Sequence, residues 1–160
     1  MMHIILVAVG TIKASFYASG IAEYCQRLNQ FAKVEIVEVK EQRITDETSP
    51  KAIATALHEE ARLIRERIPE GAYTIALAIE GKQLSSEEFA TMITEIGIYR
   101  STKVVFLIGG SHGLEAELKT AADARLSFSR ATFPHQMMRL IFLEQLYRAF
   151  MIAGGRNYHK

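Results

Sequence analysis

The chain has 160 residues, 49% of them hydrophobic, and a formal net charge of +1. That length and apolar content fit one domain with a real core, spanning residues 1–160, and exclude wholesale disorder. So small a charge excludes a grip on long duplex nucleic acid by overall electrostatics, and any RNA binding must rest on a local patch.

His3–Val9 is an apolar run that predicts a strand, stopped at Gly10. Apolar residues at helical spacing predict a helix over Phe16–Phe31. It carries the lone Cys25, a structural thiol with no partner for an internal disulfide, which suits a cytoplasmic protein. Val34–Val39 reads V-E-I-V-E-V, a strand with Glu35 and Glu38 exposed. Lys40–Thr48 is polar and predicts a loop. Ser49-Pro50 predicts a helix start, Ser as N-cap and Pro in the first turn, with the helix running to about Ile68 before Pro69 and Gly71. Tyr73–Ile79 predicts a third strand, ending at Glu80-Gly81. Ser85 with Glu88 forms a capping box that opens a helix to about Tyr99. Lys103–Ile108 predicts a fourth strand, Glu115–Ala122 a short helix, Leu126–Phe128 a fifth strand, and His135–Ile152 the final helix.

Alternating strands and helices predict an α/β fold with a mainly parallel sheet of five to six strands and helices on both faces. Ligands in such sheets sit beyond the carboxyl ends of the strands, which puts Ile79–Gly81, Gly109–Gly113 and Phe128–Pro134 on one rim. No apolar run is long enough to span a membrane, and no Cys or His spacing suggests a metal.

In the final helix, Glu144, Gln145 and Arg148 form a narrow polar stripe, read as solvated, and nearly everything else is apolar. A helix of that kind is buried on more than one side, and a second subunit is one candidate to cover it. His135 and Arg139, four residues apart, point roughly opposite the stripe. Read plainly they are a helix-start histidine and a snorkelling arginine. Read functionally they are polar groups aimed into a cleft.

Gly109-Gly110-Ser111-His112-Gly113 follows a strand and precedes a helix, a place where backbone can approach a ligand closely. It is not a Walker loop, since no Gly-Lys-Ser/Thr closes it, and it is not a dinucleotide fingerprint. No Gly-x-Ser-x-Gly elbow supports a serine hydrolase.

Several motifs together resemble one family. They are Val-Ala-Val-Gly at 7–10, Ile-x-Gly-Lys at 79–82, Ile-Gly-Gly-Ser-x-Gly-Leu at 108–114, Leu-Ser-Phe-Ser-x-x-Thr-Phe-Pro-His-Gln-x-x-Arg at 126–139, Glu-Gln-x-Tyr-Arg-Ala at 144–149, and the closing Tyr-His-Lys. In this order they are similar to the bacterial large-subunit (23S) ribosomal RNA pseudouridine N3-methyltransferases, minimal SPOUT-class enzymes. The resemblance implies a SPOUT-like fold with a C-terminal trefoil knot, S-adenosylmethionine as methyl donor, a homodimer, and a pseudouridine in rRNA of the assembled ribosome as substrate. It places cofactor contacts at Leu77, Gly109, Phe128, Ser129, Arg130, Ala131, Thr132 and Phe133.

On that reading the ring N–H of pseudouridine must lose its proton, so a general base or donors to the resulting anion are expected. His135 and His159 are both candidates for the base, and the residue types alone do not choose between them. Arg139 and Tyr158 complete the expected catalytic group. Arg139, Arg156, His159 and Lys160 are the expected RNA contacts. The rival reading is a non-catalytic ribosome- or RNA-binding factor of the same fold.

Overall fold

The computed structural model describes residues 1–159. Five parallel strands form one sheet in the order β2-β1-β4-β3-β5. In chain order they are β1 (Met2–Val9), β2 (Ala32–Val39), β3 (Tyr73–Gln83), β4 (Lys103–Ile108) and β5 (Ala124–Ser127). The helices between and after them are α1 (Ser15–Leu28), α2 (Pro50–Arg65), α3 (Ser86–Tyr99), α4 (Ala116–Ala121) and α5 (His135–Ala153).

Alternation along β1 sorts the core into two halves. Ile4, Leu6 and Ala8 face one layer, which they share with Ile21 and Leu28 of α1, Phe89 and Ile93 of α3, and Phe142 and Leu146 of α5. Ile5, Val7 and Val9 face the other, with Ala61 and Ile64 of α2 and Leu118 of α4. Both faces of β1 and β4 are therefore dry, which is why these strands read as unbroken apolar runs. No described helix is long and apolar enough to cross a membrane.

Local signals set the helix starts. Ser49 accepts the Ala52 backbone N–H at 3.2 Å with Pro50 in the first turn. Ser85 and Glu88 close a reciprocal capping box. Glu35 and Glu38 are exposed as expected.

The largest departure from the sequence reading is β3. It continues through Glu80-Gly81 to Gln83, because β5 meets it in two registers: Leu126 pairs with both Leu77 and Lys82. A side chain at Gly81 would stand 2.5 Å from the Leu126 backbone. Gly81 thus permits a close strand approach rather than ending the strand.

The solvated stripe expected on α5 is also corrected. Glu144 and Arg148 form an ion pair with side chains only 22% and 23% exposed. The Tyr158 hydroxyl lies 3.3 Å from Glu144, and the Arg148 guanidinium lies over the Tyr158 ring. Gln145 accepts from the Ser86 hydroxyl at 2.9 Å. This stripe holds the C-terminal tail and α3 onto α5. Much of the cover that the apolar surface of α5 demands comes from α1 and α3 of the same chain.

Candidate active site

All strands run the same way, so their carboxyl ends share one rim. The segments leaving β3, β4 and β5 there enclose a cavity of about 820 Å3. Its walls include Leu77–Glu80, Ile108–Leu114 and Ser127–Pro134 except Arg130, with His135 and Met138 from the start of α5.

The glycine loop is shaped by backbone contact. Gly113 N–H donates to the Gly110 carbonyl at 3.0 Å, and Gly113 has φ +76°, which favours glycine. A Cβ on Gly109 would stand 2.3 Å from the Gly113 backbone, so any side chain there would force the turn open. The loop after β5 is tied by its own hydroxyls. Ser127 Oγ donates to the Ser129 carbonyl at 2.8 Å, and Ser129 Oγ accepts the Ala131 N–H at 2.9 Å. These bonds leave Ala131–Phe133 exposed along the cavity wall. A flat, neutral ring bound by backbone groups suits such walls. On the outer side Lys119 pairs with Glu80, which holds the Glu80 carboxyl below the usual carboxylate range.

Seven of the eight expected cofactor positions line this cavity; Arg130 is exposed beside it. His135 lines it as well, whereas Arg139 does not. The Arg139 side chain is 1% exposed. It donates from Nη1 to Glu38 at 2.7 Å and from Nη2 to the Gly10 carbonyl at 2.7 Å, and its Nε has no partner among the described residues. The guanidinium therefore clamps the first turns of α5 to the ends of β1 and β2. The exposed surface expected of an RNA contact is not where Arg139 lies. Glu38, its partner, sits 101 residues away in sequence, and no local signal pairs the two.

The tail lies elsewhere. His159 Nε2 is 2.7 Å from Glu87 on the first turn of α3. The Glu87 carboxyl is held low by its own backbone N–H and by His159. Burial pushes the Tyr158 hydroxyl up from its ordinary range. Arg156 donates to Gln30 at 3.0 Å and lies over the Phe31 ring. None of these three lines the cavity. Lys160 lies outside the described residues. Within one chain, then, the two histidines proposed as base are separated, and only His135 faces the cavity.

Of the remaining histidines, His112 lines the cavity 3.8 Å from Glu47, and the other two have structural partners. His3 pairs with Glu35, and His58 with Glu115. Burial raises the Cys25 thiol, which argues against a nucleophile. Two further contacts escaped the sequence reading. Glu41 accepts from the Ser111 hydroxyl at 3.2 Å, and the buried Glu60 accepts the Gln42 N–H at 2.9 Å.

Known proteins with this sequence pattern decide the family. The family described as "Predicted SPOUT methyltransferase" matches residues 2–159. The chain belongs to the SPOUT methyltransferases. Among members, it is 46% identical over 159 residues to the ribosomal RNA large subunit methyltransferase H of Carboxydothermus hydrogenoformans, covering 99% of this chain and 100% of that one. It is 45% identical over 160 residues to the protein of the same name from Moorella thermoacetica, covering both chains completely. Among solved structures, a probable methylase family protein from Haemophilus influenzae superposes with a TM-score of 0.57 at 14% identity, covering 99% of this chain and 70% of that one. A protein studied for 2-OH methylation of C/U34 on tRNA gives 0.52 at 14% identity, with 97% and 99% covered. Those two likenesses show a shared fold. The glycine loop and the Ser127–Pro134 loop of this SPOUT methyltransferase form walls of its cavity.

Proposed function

We propose that this SPOUT methyltransferase transfers a methyl group from S-adenosylmethionine to N3 of a pseudouridine in large-subunit rRNA, on assembled ribosomal particles in the cytoplasm. One observation carries the reading most directly. Three loops that share no sequence neighbourhood converge on one cavity, and a titratable ring, His135, stands on its wall. The names of the full-length relatives support rRNA as the substrate.

The cavity's geometry supports the donor: the missing Gly109 side chain lets the turn close on Gly113 and present its backbone at the wall, and the exposed Ala131–Phe133 segment offers further backbone groups. Leu77, Gly109 and Phe128–Phe133 would hold it. When bound, S-adenosylmethionine supplies an electrophilic methyl group on a sulfonium.

The chain's own residues do the rest. His135 accepts the N3 proton, since its imidazole can take up a proton and lines the cavity beside the walls that would hold the donor. Arg139 is a positioning residue that fixes the His135 turn against Gly10. β5 stands at the sheet edge and Arg139 on α5 reaches the Gly10 carbonyl beyond β1, so the chain returns across the ends of β3 and β4, a course that supports the proposed trefoil knot.

A homodimer completes the site. α5 has 19 residues, a length of about 28 Å, so Arg156 past its far end cannot reach the base beside His135 of the same chain. Arg156, His159 and Tyr158 would serve the cavity of the second copy. Phe16 and Phe133, exposed near the start of α5, offer apolar surface for that contact.

Single-turnover methyl transfer on ribosomes tests the base. His135→Ala should slow the reaction by about 10²–10⁴-fold while S-adenosylmethionine affinity stays within tenfold. A near-normal rate would remove His135 from the mechanism.

A further inference from the structure

Uridine and pseudouridine present the same edge around N3. They differ one carbonyl away from N3, where pseudouridine carries an N1–H and uridine a C5–H. A site that selects pseudouridine therefore needs a hydrogen-bond acceptor at N1–H. A site built around such a bond strongly rejects the analogue that lacks the donor.

Most carboxylates near the cavity are already engaged. Glu80 pairs with Lys119, Glu38 pairs with Arg139, and Glu60 is buried against the Gln42 N–H. Glu41 differs. It is exposed, makes no ion pair among the described residues, and takes one hydrogen bond, from Ser111. A carboxylate has about four acceptor sites, so most of its capacity is open.

Its position is set by two glycines. A Cβ on Gly10 would stand 3.5 Å from Glu41 Oε2 and 3.6 Å from His135 Nε2. A Cβ on Gly110 would stand 3.0 Å from Glu41 Oε1. The carboxylate and the imidazole thus both face the side-chain position of residue 10 and stand close to each other. An exposed carboxylate beside an RNA site repels phosphate, and reading a base N–H is a use that offsets this; acidic side chains read exocyclic N–H groups of bases in the same way.

We infer that Glu41 determines substrate specificity, accepting the N1–H of a pseudouridine whose N3 faces His135. This rests on the pseudouridine reading above.

The test is single-turnover methyl transfer by the full-length protein with S-adenosylmethionine. The substrates are large ribosomal particles carrying pseudouridine, or uridine at the same position, taken from cells lacking the responsible pseudouridine synthase. Glu41→Ala should lose about 10- to 100-fold on pseudouridine particles, the range for a hydrogen bond to a charged group, with S-adenosylmethionine affinity unchanged. On uridine particles it should match the wild type. Glu41→Gln, which keeps a carbonyl acceptor, should outperform Glu41→Ala on pseudouridine. Three results would overturn the inference: full activity of Glu41→Ala on pseudouridine, equal losses on both particles, or Glu41→Gln as slow as Glu41→Ala. If uridine particles yield no product with any variant, the ranking of the two variants on pseudouridine decides. A wild type inactive on pseudouridine particles would overturn the proposed function along with it.

Discussion

Gly109 shows what a single residue contributes. Its missing side chain lets the turn close on Gly113, and a Cβ would be 2.3 Å from that backbone. Even Gly109→Ala should therefore deform the loop and abolish measurable S-adenosylmethionine binding by calorimetry, while the unaltered core keeps the far-ultraviolet circular dichroism native. Retained affinity would place the donor elsewhere. The glycine loop was legible in the sequence because strand, glycines and helix adjoin. The other half of the site was not. Arg139 finds Glu38 and the Gly10 carbonyl, and Glu41 finds Ser111, across separations that only the folded sheet closes. The periodicity of α5 put Arg139 on the correct face, opposite the stripe, but could not say that the face is filled by an ion pair rather than a cleft.

At the scale of elements, helix starts and strand order along the chain followed from caps and alternation, and all ten predicted elements are present. The errors lie where one element meets another. Gly81 looked like a terminator and is a contact point with β5; the α5 stripe looked solvated and binds the tail. Glu60 on α2 offers a quantitative check. Burial raises its carboxyl, the nearby Gln42 N–H opposing. A raised acid favours the protonated form in the fold, so its contribution is present below the unfolded value, about 4.3, and is lost as pH rises through the folded value. Glu60→Gln stays neutral and keeps an acceptor for Gln42. Its melting temperature should equal the wild type near pH 4 and exceed it increasingly toward neutrality. A pH-independent difference would mean that burial of charge is not the cause.

Across the whole molecule, the single chain holds His159 beside Arg148 and Glu87 and off the cavity that His135 lines, and the proposed dimer reunites the two histidines between copies. Complementation measures this. His135→Ala and a chain lacking Tyr158–Lys160 should each be inactive alone. Mixed and re-equilibrated in equal amounts, they should recover about a quarter of wild-type activity, since half the dimers are mixed and each has one intact site. No recovery, with mixed dimers demonstrated by mass, would place the tail and His135 in the same site or in none.

The central claim is the reaction itself, and the nucleoside product reads it directly. Purified protein with isotopically labelled S-adenosylmethionine and ribosomes lacking the modification should yield one labelled nucleoside after digestion of the large-subunit rRNA, a pseudouridine methylated at N3, by mass spectrometry. Free rRNA fragments should yield far less, because a net charge of +1 gives little general attraction to RNA. Label on another nucleoside or on small-subunit rRNA, or no label at all with the donor bound, would contradict the account.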